Sequence, residues 1–312
     1  MSRSLLGRVR REGFRPREFT SIAVAALVLL GAIVVTGGAV RLTGSGLGCD
    51  DWPNCNADRF VDVSSKHSAI EQLNRLFTFL VGLGVLLAAA AAWYRRPRRR
   101  DLVTFGAIIV LGVPAQGIVG AFVVWTDLHP AAVQLHFVLS MVLVWAAVLL
   151  LVRSREPDGA RREVAVTPAV RRWTRVVAVA TAVTVVIGTV VTGTGPHAGD
   201  EEARRFFGSV DDIDGDALRW VTRLHGTSVW LTVASAVGLA VLLRRRPDDR
   251  RQLDGPLTAW MLTAVVQGTI GYVQYAAGLP VGLVVVHLAG ATTLVGVTAW
   301  LWNSTTRPVV QP

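Results

Sequence analysis

Three kinds of side chain in this sequence could carry chemistry: six histidines, a glutamate at the head of an apolar stretch, and two cysteines. His136 and His287 each lie six residues after the start of such a stretch, at Pro130 and Val281. His225 lies six after Arg219, and Asn74 four after Ile70. At 1.5 Å per residue all four positions fall roughly 6–9 Å in from one set of helix ends. An imidazole in hydrocarbon is costly unless it is hydrogen-bonded or bound to a metal. Two imidazoles facing each other at one depth suit the two faces of a six-coordinate heme iron, so His225 and His287 are expected as its ligands. Gly290 and Ala291, one turn after His287, leave room for a flat macrocycle. The simpler role for each of these histidines is a polar bond between helices.

His136 has no such partner, because Asn74 stands where His225 stands, and asparagine is a poor iron ligand. One strong ligand with an open opposite face suits a bound substrate heme. His67, two turns before Asn74, is the other imidazole on that helix. Glu71 is one turn from Asn74 and shares its face with Arg75 and Thr78. It serves either as an i,i+4 ion-pair partner of Arg75 or as a proton-handling group beside the iron. Cys49 and Cys55, in GLGCDDWPNC, have five residues between them. In an oxidising compartment they can close a disulfide or remain two thiols. A metal site would need more ligands than the nearby His67 supplies.

The elements that position these groups follow from composition. Hydrophobic residues make up 52% of the 312-residue chain and charged residues 17%. Segments 20–40, 76–94, 102–126, 130–152, 176–199 and 224–243 contain no charged residue, and 255–306 is long enough for two more spans. A bilayer crossing takes ~20 apolar residues, so eight transmembrane helices are expected, in an all-α integral membrane protein. That excludes a cytosolic enzyme, a secreted disulfide mini-domain and a nucleic-acid binder, despite a net charge of +10. One side of the predicted topology (the N-terminal tail, the loops near 95–101, 153–175 and 244–254, and the C-terminal tail) collects 24 of 32 Lys+Arg and 9 of 22 Asp+Glu. The other side carries 7 cations and 12 anions. The positive-inside rule then places both termini in the cytoplasm and the cysteines outside.

A fixed offset relates the two halves. Gln116-Gly117 and Gly120 in AQGIVG recur as Gln267-Gly268 and Gly271 in VQGTIG, 151 residues later. The same shift carries His136 onto His287, Leu73-Asn74 onto Leu224-His225, and Thr43-Gly44 onto Thr194-Gly195. Each unit has an even number of spans, so the expected architecture is two tandem parallel four-helix bundles. A pseudo-twofold axis along the membrane normal relates them, unlike the inverted repeats of many transporters. The glycines fit close helix packing in lipid. The expected divisions are 1–19 (basic tail), 20–152 (first half, substrate heme), 153–175 (linker), 176–303 (second half, the His225/His287 heme) and 304–312 (tail).

With these residues in view, GGAVRLTGSGLGCDDWPNC, IEQLNR, AVQLHF, TGTGPHAGD, RLHG and VVVHLAG together resemble bacterial heme A synthase, over about residues 20–303. The resemblance implies oxidation of a ring methyl of heme O to the formyl group of heme A, in support of terminal-oxidase biogenesis. It implies a heme b held by His225 and His287, and heme O in the first half with His136 as iron ligand and Asn74 and Arg75 beside it. It assigns catalysis to Glu71 and an outer-loop pair to Cys49 and Cys55. Many members carry EXXH where this chain has Glu71-Gln72-Leu73-Asn74. Many also carry a second cysteine pair where residues 194–219 have Asp200, Glu201, Glu202, Asp211, Asp212, Asp214 and Asp216. His197 and Arg223 are expected either to anchor heme propionates or to cap the outer loop. The implied partners are a heme O synthase upstream, cytochrome c oxidase assembly downstream, and the lipid of the plasma membrane; a homo-oligomer is compatible. The competing class is a membrane cytochrome b, which transfers electrons and has no heme substrate.

Overall fold

The computed structural model describes residues 12–200, 203–207 and 215–310. Residues 1–11 of the basic tail, and Glu201, Glu202, Asp211, Asp212 and Asp214 of the acidic loop, lie outside the described residues. Eight long helices follow in order: α1 (Pro16–Leu42), α2 (Lys66–Tyr94), α3 (Arg100–Trp125), α4 (Pro130–Ser154), α5 (Pro168–Thr194), α6 (Asp216–Arg244), α7 (Pro247–Ala276) and α8 (Val281–Asn303). Local chemistry sets several of their starts. Pro16, Pro130, Pro168 and Pro247 open helices, where a missing N–H costs nothing. Ser65 accepts from the Ser68 amide at 3.0 Å, and the Ser68 hydroxyl accepts from the Ser65 amide at 3.1 Å, a reciprocal cap on α2.

Two starts lie earlier than the sequence expectation. α2 begins at Lys66 and α6 at Asp216, so Asn74 and His225 sit four and three residues deeper than a count from Ile70 or Arg219 suggests. The chain around 153–175 and its C-terminal tail also hold an unexpected element. β1 (Arg161–Val164) pairs antiparallel with β2 (Thr306–Val309), setting Glu163 opposite Arg307.

Seven helices are long and apolar enough to cross a bilayer. The exception is α7, whose first turns PDDRRQLD are charged and whose later turns carry Gln267, Tyr272, Gln274 and Tyr275. Large apolar side chains point outward along the others, among them Leu111 (71% exposed) and Ile118 (69%). Such a surface would drive aggregation in water and suits lipid tails. The architecture is that of an all-helical, multi-pass membrane protein.

Packing follows chain order within each half. α1 packs on α2 and α4, and α3 lies between α2 and α4; α5 packs on α6 and α8, and α7 lies between α6 and α8. The first half is cored by residues such as Phe19, Val81, Ile109 and Leu150, and the second by Val170, Leu239, Trp260 and Leu301. Val34, Met141, Val144 and Val295 join α1, α4 and α8 across the seam. Turns at equivalent places share an unusual backbone. Leu128 (φ 56°) and Leu279 (φ 59°), 151 positions apart, both adopt the left-handed conformation that L-residues seldom take.

Candidate functional site

One cavity of about 1730 Å³ runs through both halves, above the ~300–1,000 Å³ of an ordinary small-molecule site. It collects Glu71, Asn74, Arg75 and His136 from α2 and α4, and His225 and His287 from α6 and α8. α2 and α4 do not pack closely on each other, nor do α6 and α8, so each pair faces across an interior space.

The six histidines divide by what their rings touch. His67 Nδ1 lies 2.9 Å from Ser45 Oγ, His129 Nδ1 accepts from the Ala131 amide at 3.3 Å, and His197 Nε2 bonds the Leu279 carbonyl at 2.8 Å. Those three are satisfied by protein. For His136, His225 and His287 the Nδ1 atoms are buried with no hydrogen-bond partner, and all three rings line the cavity. Buried polar atoms are rarely left unbonded, because desolvation without a bond costs ~1–3 kcal/mol each. Three rings with an unpartnered Nδ1 in one cavity therefore mark a site suited to a ligand. The described residues contain no group of three or more His, Cys, Asp or Glu able to hold a bare metal ion. One or two imidazoles hold iron when a porphyrin supplies the other four donors, so the donor set fits heme.

Glycines seat the rings. A methyl added at Gly188 would stand 3.0 Å from His225 Cε1, one at Gly271 3.1 Å from His287 Cε1, and one at Gly120 3.5 Å from His136 Cε1. At Gly37 it would stand 3.7 Å from Asn74 Nδ2. Gly37/Gly188 and Gly120/Gly271 are again related by 151. The QGxxG glycines thus differ from the helix-packing role expected of them: Gly120 and Gly271 make room for imidazoles, while Gly117 and Gly268 face open space. The paired glutamines anchor the same helices. Gln116 donates to the His136 carbonyl at 3.0 Å and Gln267 to the His287 carbonyl at 2.8 Å. Their recurrence was legible in the sequence, but their bonding was not. Gly290 does not open space for a macrocycle, because any Cβ there collides with Gln267 Oε1; Ala291 does line the cavity.

The first half has further polar structure. Glu71 is 6% exposed; its Oε2 accepts from the Cys49 amide at 2.7 Å, and its Oε1 accepts from Arg75 Nε (3.0 Å) and Nη2 (2.6 Å). Arg75 Nη1 donates to the Asp51 and Asn54 carbonyls at 3.0 and 2.9 Å. Cys49 and Cys55 form a disulfide, and both are buried. The disulfide loop is therefore held down on α2 by a carboxylate–guanidinium pair that also borders the cavity. Gly48 permits this approach, since a Cβ there would collide with the backbone of His67. Arg223 borders the cavity from α6, and His197 ties the later outer loop to the turn before α8. Arg41, not expected from sequence, also borders the cavity, and its Nε donates to the Ala198 carbonyl at 3.0 Å.

Fold and site together define a multi-pass helical membrane protein built around buried, unbonded imidazoles. A family model described as "Cytochrome oxidase assembly protein" (COX15-CtaA) matches residues 20–72 and 60–299, and the chain belongs to that family. It is similar to proteins named Heme A synthase. The one from Listeria welshimeri is 33% identical over 147 residues, 46% of this chain and 48% of that protein. The one from Lysinibacillus sphaericus is 33% identical over 130 residues, 41% and 42% of the two chains. The one from Alkalihalophilus pseudofirmus is 32% identical over 154 residues, 49% of each. The aligned stretch thus spans about half the length of the curated relatives it matches.

Proposed function

We propose that this protein oxidises a ring methyl of heme O to the formyl group of heme A, for terminal-oxidase biogenesis. The observation that carries the reading is the division of the histidines. Three rings are bonded within the protein, while His136, His225 and His287 stand unbonded in one cavity. His225 and His287 hold a heme b, which supplies redox chemistry when bound. His136 ligates the substrate heme, with Asn74 opposite. Glu71 is the catalytic carboxylate. In the resting arrangement it is paired with Arg75 and the Cys49 amide. Glu71 borders the cavity and can take up or give a proton there, while Arg75 and the Cys49 amide hold the carboxylate in place. His197 acts as a loop anchor and Arg223 as a propionate anchor.

The halves, 20–152 and 176–303, form two parallel four-helix bundles related by an axis along the membrane normal. The shared 151-residue offset of turn, glutamine, glycine and histidine supports this arrangement. α7 makes the eighth crossing: its uncharged part from Gly255 to Ala276 spans about 33 Å. The basic helix ends face the cytoplasm with both termini, in the cell membrane. A heme O synthase supplies the substrate, and cytochrome c oxidase assembly uses the product.

The test is heme extraction and chromatography from protein co-expressed with a heme O source. Wild type yields heme A. Glu71→Gln keeps an acceptor for the Cys49 amide and should lower heme A formation on the order of 10²–10⁴-fold while heme b is retained. Heme b alone from wild type, with heme O present and unchanged, would sink the reading and favour an electron-transfer cytochrome.

A further inference from the structure

The end of the helix bundle that carries the basic loops has two kinds of arginine. Several are matched inside the protein. Arg95 pairs with Asp158 at 2.7 Å, Arg99 with Asp101 at 2.7 Å, and Arg162 with Glu156. Arg171, Arg172 and Arg175, in the first two turns of α5, are different. Among the described residues none of the three forms an ion pair, and Glu163, the acid nearest in sequence, lies opposite Arg307 across the β1–β2 pair. Arg171 and Arg175 are i,i+4 neighbours of like charge, an arrangement that weakens a helix unless something offsets it.

These three side chains line a pocket of about 330 Å³ together with Val164 and Pro168. Arg171 Nε is buried there without a hydrogen-bond partner. The guanidinium carbons of Arg171 and Arg175 each sit 5.8 Å from the Trp302 ring centroid, within cation–π reach. Trp173, half exposed beside them, and Trp302 mark the depth of the bilayer interface, where tryptophan concentrates. Clustered guanidinium forks with no internal carboxylate suit the tetrahedral oxygens of a phosphate. Basic pockets between helix ends at a membrane surface take up lipid head groups in the same way.

We infer that Arg171, Arg172 and Arg175, beside Trp302, form a binding site for a phosphate group, carried on an anionic phospholipid head group or free in solution. The inference rests on α5 crossing the membrane and not on the heme chemistry, so the two fail independently.

Delipidated full-length protein in detergent is incubated with phosphatidylglycerol, phosphatidylcholine or inorganic phosphate. Bound lipid is counted by native mass spectrometry, and the melting temperature is followed in parallel. Wild type should retain phosphatidylglycerol over phosphatidylcholine, and Arg171→Gln/Arg175→Gln should lose about tenfold or more of that retention. Arg244→Gln/Arg245→Gln, which removes two cations from another helix at the same end, should keep it. A melting shift with inorganic phosphate that the Arg171/Arg175 variant loses, without lipid retention, assigns the site to the free anion. Equal phosphatidylglycerol retention in wild type and the Arg171/Arg175 variant, or no response to either anion, overturns the inference. If the glutamine variant fails to fold, Arg171→Lys/Arg175→Lys keeps the charge but removes the forks; undiminished retention there overturns it as well.

Discussion

The two halves share a scaffold and differ at one helix face. On α4 and α8 they match: His136 and His287 each accept a glutamine at their carbonyl, and each ring lies against a glycine of α3 or α7. On α2 and α6 they diverge. Glu71, Asn74 and Arg75 of the first half correspond to Thr222, His225 and Gly226 of the second. Among the described residues, only the first half has a buried carboxylate–guanidinium pair beside the cavity, and only there does a disulfide loop close over the helix. Thr222 Oγ1 is buried without a partner, so the second half has no polar network in the corresponding place. The comparison teaches that two halves can hold a like imidazole seat while the helix facing it differs. One copy offers two imidazoles and apolar walls, which suit permanent holding of a heme. The other offers one imidazole and an acid, which suit turnover.

The sharpest way to break this contrast is to remove one imidazole from each copy. His287→Ala should abolish the low-spin heme b absorbance of the purified protein, and His136→Ala should leave it nearly intact. Equal loss from both variants would mean that the halves do not divide the work. Asn74→His makes the first copy resemble the second. Gly37 leaves space beside residue 74, as Gly188 does beside His225, so the imidazole fits. A second six-coordinate heme spectrum with heme A output lowered at least about tenfold is expected; unchanged output would remove Asn74 from the argument.

A finer comparison uses the ring seats. Alanine for a helical glycine favours the helix by up to ~1 kcal/mol. Gly120→Ala, with 3.5 Å to His136, should realise that gain as a slightly higher melting temperature. Gly271→Ala, at 3.1 Å from His287, should lose it to ring displacement and retain less heme b. The smallest effect concerns the disulfide loop. Asp62 accepts from the Ser64 amide at 2.9 Å and from Asn56 Nδ2 at 2.9 Å, which holds its carboxyl below the ordinary carboxylate range, with Arg59 assisting. A depressed folded-state pKa gives stability that is present above the unfolded value and lost as pH falls through the folded one. Wild-type loop protection in hydrogen exchange should therefore decline only in acid below the usual carboxylate pKa. Asp62→Asn should make it insensitive to pH there.

Much of the fold was legible because lipid imposes a coarse code. Uncharged stretches of about twenty residues, loop charge and one fixed offset were enough for the eight helices. The eighth is the least apolar, since α7 carries its glutamines and tyrosines among the uncharged residues. The heads of α2 and α6 were placed late because their first turns are polar, and hydropathy cannot see a helix that has not yet entered lipid.

For the site, the residue types and spacing by themselves determined which histidines lie near one depth, that Glu71 and Arg75 are within reach, and that two cysteines share a short loop. Tertiary structure alone decided which rings are bonded. His67 finds Ser45, and His197 finds a carbonyl 82 positions away, while His136, His225 and His287 find nothing. It also decided that Arg75 reaches the disulfide loop and that Gly120 and Gly271 meet rings instead of backbones. The physical reason is range. Helical periodicity fixes direction within a few turns, whereas a hydrogen-bond partner or a 3 Å clearance depends on how elements far apart in the chain pack together.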